Sequence, residues 1–98
     1  PIQVMMIPVT DKQVSYAENI QKILRDSGFR VEVDKRKEKV GFKIREAQME
    51  KIPYMVIVGP KEEEAKQVSV RHRKKGDLGK MSLEDFISKM KKEVETKE

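Results

Sequence analysis

Two short segments, IQVMMIPV at 2–9 and PYMVIVG at 53–59, are apolar at almost every position. Runs of this length without polar alternation suit strands covered on both faces, which belong inside a sheet with helices on either side. That requirement points to an α/β layered fold. FRVEVD at 29–34 alternates instead, with Phe29, Val31 and Val33 on one side and Arg30, Glu32 and Asp34 on the other. It reads as an edge strand, less covered on one face.

Between these strands lie helical patterns. Thr10 and Gln13 are spaced as a capping box that opens a helix. Val14, Ala17, Ile20 and Leu24 then recur at helical spacing with Ile23 beside them, and Gly28 fits the left-handed position that ends it. A charged loop leads to a second helix over about 42–51, where Ile44, Ala47 and Gln48 share a face. KEEEAK at 61–66 reads as a polar turn, and QVSVRHR at 67–73 as a returning strand, with a further short strand near Leu78. Ser82 and Asp85 mark a third long helix with a buried stripe of Leu83, Phe86, Ile87, Met90 and Val94, followed by the polar tail EVETKE. Right-handed crossovers and a short turn then predict a mixed sheet ordered 2-1-3-4 from its first edge, with the fourth strand antiparallel to the third.

Ninety-eight residues are enough for one domain with its own core, although 40% are charged and 37% hydrophobic. The chain contains no cysteine and one histidine, which excludes thiolate metal sites and cysteine nucleophiles. His72 follows Val68 and Val70 on the same side of its strand, and a structural or surface role is expected for it. No glycine-rich phosphate loop or metal-ligand cluster is present, and Gly59 and Pro60 stand where a receiver domain places its phosphoacceptor aspartate. No run approaches the roughly 18 apolar residues of a membrane span. The opening on Pro1, directly into a strand-like run, suggests a piece of a longer protein.

Positive charge is the remaining signal, at a net +5. Lys35, Arg36, Lys37, Lys39, Lys43 and Arg45 lie between the second strand and the second helix, against Glu38 alone. Ligands of open α/β sheets bind at that carboxyl edge, and the N–H groups of a helix start favour phosphate there. Arg71 and Arg73 point away from Val68 and Val70, and Lys74 and Lys75 follow. Two distant basic segments are thus expected to form one surface for a polyanion, with Lys39, Lys43 and Arg45 as one wall and Glu46 holding Lys43 or Lys39. A charge-rich solvated surface accounts for the same composition.

The segments IPVTDKQVSYAENIQKIL, GFRVEVDKRKEKVGFKIREAQMEKIPYMVIVG and VSVRHRKKGDLGKMSLEDFI together resemble the C-terminal anticodon-binding domain of threonyl-tRNA synthetase. The likeness runs from about residue 3 to 92 and is most specific in EKVGFKIREAQMEKIPYM and VRHRKKGDLGKMSL. It implies a mixed five-stranded sheet with three helices, in a single domain spanning 1–98 at the end of a longer synthetase. It also implies a partner, the anticodon loop of threonine tRNA, whose last two anticodon bases are guanine and uracil. By position, Glu62 and Arg71 match the residues that read those bases, while Arg36, Lys37, Lys39, Lys43, Arg45, Arg73, Lys74 and Lys75 are expected on phosphates or the loop. Lys37 replaces an asparagine usual in the family, which suggests a phosphate contact there. ATP, threonine and zinc are implied only for an upstream catalytic domain of a cytoplasmic, homodimeric parent, with no cofactor, metal, catalysis or membrane contact in this domain. The corresponding domain of prolyl-, histidyl- or glycyl-tRNA synthetase, a protein-interaction module of the same fold, and an enzyme with a phosphate substrate at the sheet edge remain alternatives.

Overall fold

The computed structural model describes the backbone of residues 1–96 and the side chains of residues 1–93. Strand β1 (Val4–Pro8) pairs in parallel with β2 (Val31–Val33) and with β3 (Tyr54–Val58). β4 (Gln67–His72) returns antiparallel to β3, and β5 (Gly76–Ser82) returns antiparallel to β4. The sheet has five strands in the order β2-β1-β3-β4-β5. The apolar runs therefore occupy its interior, the alternating segment lies at one edge, and the antiparallel return follows β3 as expected.

Helix α1 (Val14–Asp26) begins after a 3-10 turn (Asp11–Gln13) in which Thr10 and Gln13 form the capping box. It ends before Gly28, whose φ of +95° suits a residue without a Cβ. Ala17, Ile20 and Leu24 pack with Val4, Met6, Val56 and Val58 on one face of the sheet, while Ile23 remains exposed. Helix α4 (Leu83–Thr96) covers the rest of this face with Phe86 and Met90, and its start is capped by the Asp85 N–H donating to Ser82 Oγ at 3.1 Å. Val94, the last residue of the expected stripe, lies outside the residues whose side chains are described.

Helix α2 (Val40–Met49) packs on the opposite face, with Ala47 against Ile7 and Met55, and Val40 and Ile44 at its margin. It starts two residues before the expected Phe42, because Lys39 adopts the extended conformation of an N-cap. The segment expected to be a polar turn is instead helix α3 (Pro60–Ala65). Pro60 sits at its first position, the Glu62 side chain accepts from the Gly59 N–H at 2.8 Å, and Lys66 ends it in the left-handed conformation at φ 56°. Among the described residues there are thus three long helices and this short fourth one. The strand near Leu78 is likewise longer than expected, running for 7 residues as β5.

Phe86 is fully buried and meets Tyr54 edge-on, with ring centroids 5.4 Å apart. Phe86→Ala is expected to lower unfolding free energy by about 3–5 kcal/mol. The exposed Met49→Ala should remain within about 0.5 kcal/mol of wild type, both measured by urea denaturation at neutral pH.

Candidate nucleic-acid interface

One face of the sheet is covered across its width and the other only in part. α2 lies over β1 and β3 and stops short of β4 and β5. A trough remains, lined by Val40 and Ile44 of α2, Ile57 of β3, Ser69 and Arg71 of β4, and Gly79 and Lys80 of β5. Its floor is the sheet itself. Side chains alternate across β4, so that Val68 and Val70 enter the core while Ser69 and Arg71 face the trough.

Glu62 stands at the carboxyl end of this trough because α3 turns the chain back over β3. Its Oε1 accepts from the Gly59 N–H and its Oε2 from the Ser69 hydroxyl, both at 2.8 Å, and Lys80 Nζ lies 3.8 Å from Oε2. Burial alone raises a carboxyl pKa. Here the hydrogen bonds from Ser69, Gly59 and its own backbone, with the Lys80 charge, hold Glu62 below its ordinary value of 4.5. The Tyr16 hydroxyl donates to the Gln67 carbonyl at 2.9 Å and fixes the turn from α3 into β4. Arg71 lies opposite Met55, lower in the trough, beside a bulge between Val70 and Arg71. Its Nε–H is buried and has no hydrogen-bond acceptor among the described residues.

The basic segments do not form the single surface expected from their sequence. β4 runs antiparallel to β3, so Tyr54 faces His72 at the amino edge of the parallel strands. The Arg73 N–H donates to the Pro53 carbonyl there, and Lys74 and Lys75 turn at the same end, where Lys75 approaches Glu93 at 3.9 Å. Lys35, Arg36, Lys37 and Lys39 follow β2 at the carboxyl edge. The two groups are separated by the length of a five-residue strand, about 17 Å. His72 is structural, as expected: it meets Tyr54 edge-on at 5.0 Å, and its Nδ1 accepts from the Lys74 and Lys75 N–H groups.

Lys43 departs from its expected place in a basic wall. It is 4% exposed, and its ammonium donates to the Asp34 carbonyl at 3.0 Å. Arg36 is also tethered: its Nε and a terminal nitrogen donate to the Asp34 carboxylate at 3.0 and 2.9 Å, and it pairs with Glu46. Glu46 therefore holds Arg36, not Lys43 or Lys39. The Phe42 ring lies 5.7 Å from the same guanidinium. These contacts fix the turn that presents Lys35 and Lys37 at a cleft shared with Thr10 and Asp11, with Lys39 exposed just beyond. Arg45 follows Ile44 on α2 and is exposed. Lys39 caps α2 without a side-chain hydrogen bond, and no acidic residue occupies the first turn.

Sequence reasoning assigned no role to Ser69 or Lys80. Alternation from Val68 and Val70 places Ser69 on the same side as Arg71, but Lys80 lies in a strand too poor in β-formers to be recognised. Among the described residues no group of three His, Cys, Asp or Glu side chains is arranged to hold a metal, and no helix is long and apolar enough to cross a membrane.

The Arg36 hydrogen bonds, stronger than burial, hold the Asp34 carboxyl below its ordinary 3.8. A depressed pKa stabilises the fold above the unfolded value, and that stability is lost as pH falls through the folded value. Asp34→Asn should therefore cost about 1–3 kcal/mol at pH 7. In urea denaturation at a series of pH values, the gap from wild type should hold above about pH 4 and shrink below it.

This geometry has close counterparts. A family profile described as "Anticodon binding domain" matches residues 3–93. The chain is 55% identical over 97 residues to a threonine–tRNA ligase of Clostridium novyi and 54% identical to that of Clostridium kluyveri, matching 99% of this chain and 15% of each relative. It thus spans about 15% of the length of the curated relatives it matches. The RNA binding domain of threonyl-tRNA synthetase from Cryptosporidium parvum superimposes with a TM-score of 0.88 at 29% identity, covering 94% of this chain and 23% of that one. Prolyl-tRNA synthetase from the same organism, complexed with L-proline and AMP, gives 0.87 at 26% identity, covering 98% and 21%. With nearly the whole chain matched and the strand order in agreement, the chain belongs to the anticodon binding domain family.

Proposed function

We propose that the chain is the tRNA-binding module of a threonine–tRNA ligase and docks the anticodon loop of threonine tRNA in the trough between α2 and β5. The observation that carries this reading is the placement of Arg71 and of Ser69, whose hydroxyl holds Glu62, on one open sheet face. Identity of 52–55% to threonine–tRNA ligases favours threonine tRNA over the substrates of related synthetases. Unstacked bases enter the trough edge-first. Glu62 accepts from a base donor, and the Arg71 guanidinium donates to base oxygens or stacks. Lys37, Lys39 and Arg45 hold phosphates at the carboxyl end, and Arg73 with Lys74 and Lys75 does so at the amino end. Arg36 and Lys43 act through the turn they fix. Charging with threonine, with ATP and zinc, belongs to an upstream catalytic domain of a cytoplasmic, dimeric parent.

Binding of anticodon stem-loops by the 98-residue chain tests this. With three or four phosphates engaged, log K should fall against log salt with a slope of roughly −2 to −3. Arg71→Ala and Glu62→Gln should each narrow the preference for the threonine anticodon over one with its central guanine changed to adenine, by about 1–3 kcal/mol. Lys39→Ala should weaken both loops alike. A flat salt dependence with no preference between the loops would dismiss the reading.

A further inference from the structure

The carboxylate of Glu62 is held but not saturated. Its two main hydrogen bonds from the protein go one to each oxygen, Oε1 from Gly59 and Oε2 from Ser69, with a weaker contact from its own backbone N–H. A carboxylate oxygen has two acceptor sites, so these bonds leave capacity for further donors. The 12% of the Glu62 side chain that is exposed lies beside Lys80. Among the four RNA bases, only guanine offers two adjacent donors on its Watson–Crick edge, N1–H and the N2 amine. The third group on that edge is the O6 acceptor, next to N1–H.

Lys80 stands where that third group arrives. Cross-strand pairing places it opposite Ser69, and its ammonium lies 3.8 Å from Glu62 Oε2. At this separation, with 48% of its side chain exposed, the ion pair is loose and leaves donors for another acceptor. Gly79, beside it at φ +88°, adds no side chain over the floor, and Val40, Ile44 and Ile57 give the flat base an apolar bed.

We infer that Lys80 is a third base-reading residue, donating to O6 of a guanine whose N1–H and N2 amine are accepted by Glu62, with Ser69 as the positioning residue for that carboxylate. This rests on the reading of the trough as an anticodon site. Carboxylate and ammonium together reproduce the complement of guanine's donor–donor–acceptor edge. Adenine turns a lone pair at N1 toward the carboxylate and an amine toward the ammonium, so both contacts become repulsive. Uracil keeps one central donor but turns an oxygen toward the carboxylate.

The test uses stem-loops carrying guanine, inosine or 2-aminopurine at the central anticodon position. Inosine keeps N1–H and O6 and lacks the amine, while 2-aminopurine keeps the amine, lacks O6 and carries a lone pair in place of N1–H. Lys80→Met should weaken the guanine and inosine loops about tenfold each and leave the 2-aminopurine loop within about twofold. Lys80→Arg, which retains donors, should restore most of the guanine affinity. Ser69→Ala should reduce the advantage of guanine over inosine, since that advantage is read through Glu62 alone. Equal weakening of all three loops by Lys80→Met would make Lys80 a phosphate contact and overturn the inference while leaving the anticodon reading intact. A wild-type chain that binds guanine and 2-aminopurine loops equally would instead remove the anticodon reading and the inference together.

Discussion

The parallel pairing of β1 with β3 is the constraint on which the rest of the structure depends. Both strands are apolar on both faces, so each face of the sheet must be covered where they lie. α1 and α4 cover one face between them. The other face has only α2, which is fully used in burying Ile7 and Met55. β4 and β5 are consequently left with one bare face, and the trough is that remainder. No separate cavity has to be built. The residues that face it, Ser69 and Arg71, are set by the same alternation that sends Val68 and Val70 into the core.

Charge is divided between groups that shape the surface and groups that present themselves to a ligand. Lys43 and Arg36 belong to the first kind: Asp34 and Glu46 neutralise them, and together they stiffen the turn after β2. Lys37, Lys39 and Arg45 belong to the second, being exposed. Around Glu62 the same division occurs in miniature. Gly59 and Ser69 fix the carboxylate, whereas Lys80 merely approaches it. A group fixed before binding loses less entropy when its ligand arrives, so the tethered residues matter to any recognition at this surface.

The interior strands, the first edge and α1 were legible in the sequence because burial writes period and composition directly: Val4–Pro8 and Tyr54–Val58 lack polar interruption, and Thr10 with Gln13 announces the helix. α3 was not legible because none of its residues is buried, leaving no apolar stripe to reveal it. β5 was underestimated because Gly76, Asp77, Gly79 and Lys80 are weak strand formers held by pairing to β4. Of the candidate site, the charge of GFKIR was plain, but its direction depends on helix phase. That Lys43 reaches the Asp34 carbonyl while Arg45 stays exposed is a tertiary outcome that the charge pattern alone does not give. Glu62 and Arg71 were identified by resemblance. That the Ser69 hydroxyl on the Arg71 face holds Glu62 is a consequence of tertiary pairing that periodicity does not encode.

Leaving a sheet face bare beside an open edge carries a hazard, since unpaired strand groups are a template for joining another chain. Both edges of this sheet are blunted. β2 pairs over only three residues, and its neighbouring turn is crowded with Lys35, Arg36 and Lys37. β5 is longer, but its register shifts between Val70 and Arg71, two glycines break its pleat, and Asp77 and Lys80 set opposite charges along it. A second copy paired in parallel register would set like charges and irregular backbone against one another. The domain can therefore leave a sheet face uncovered while its neighbouring edge discourages pairing with its own kind.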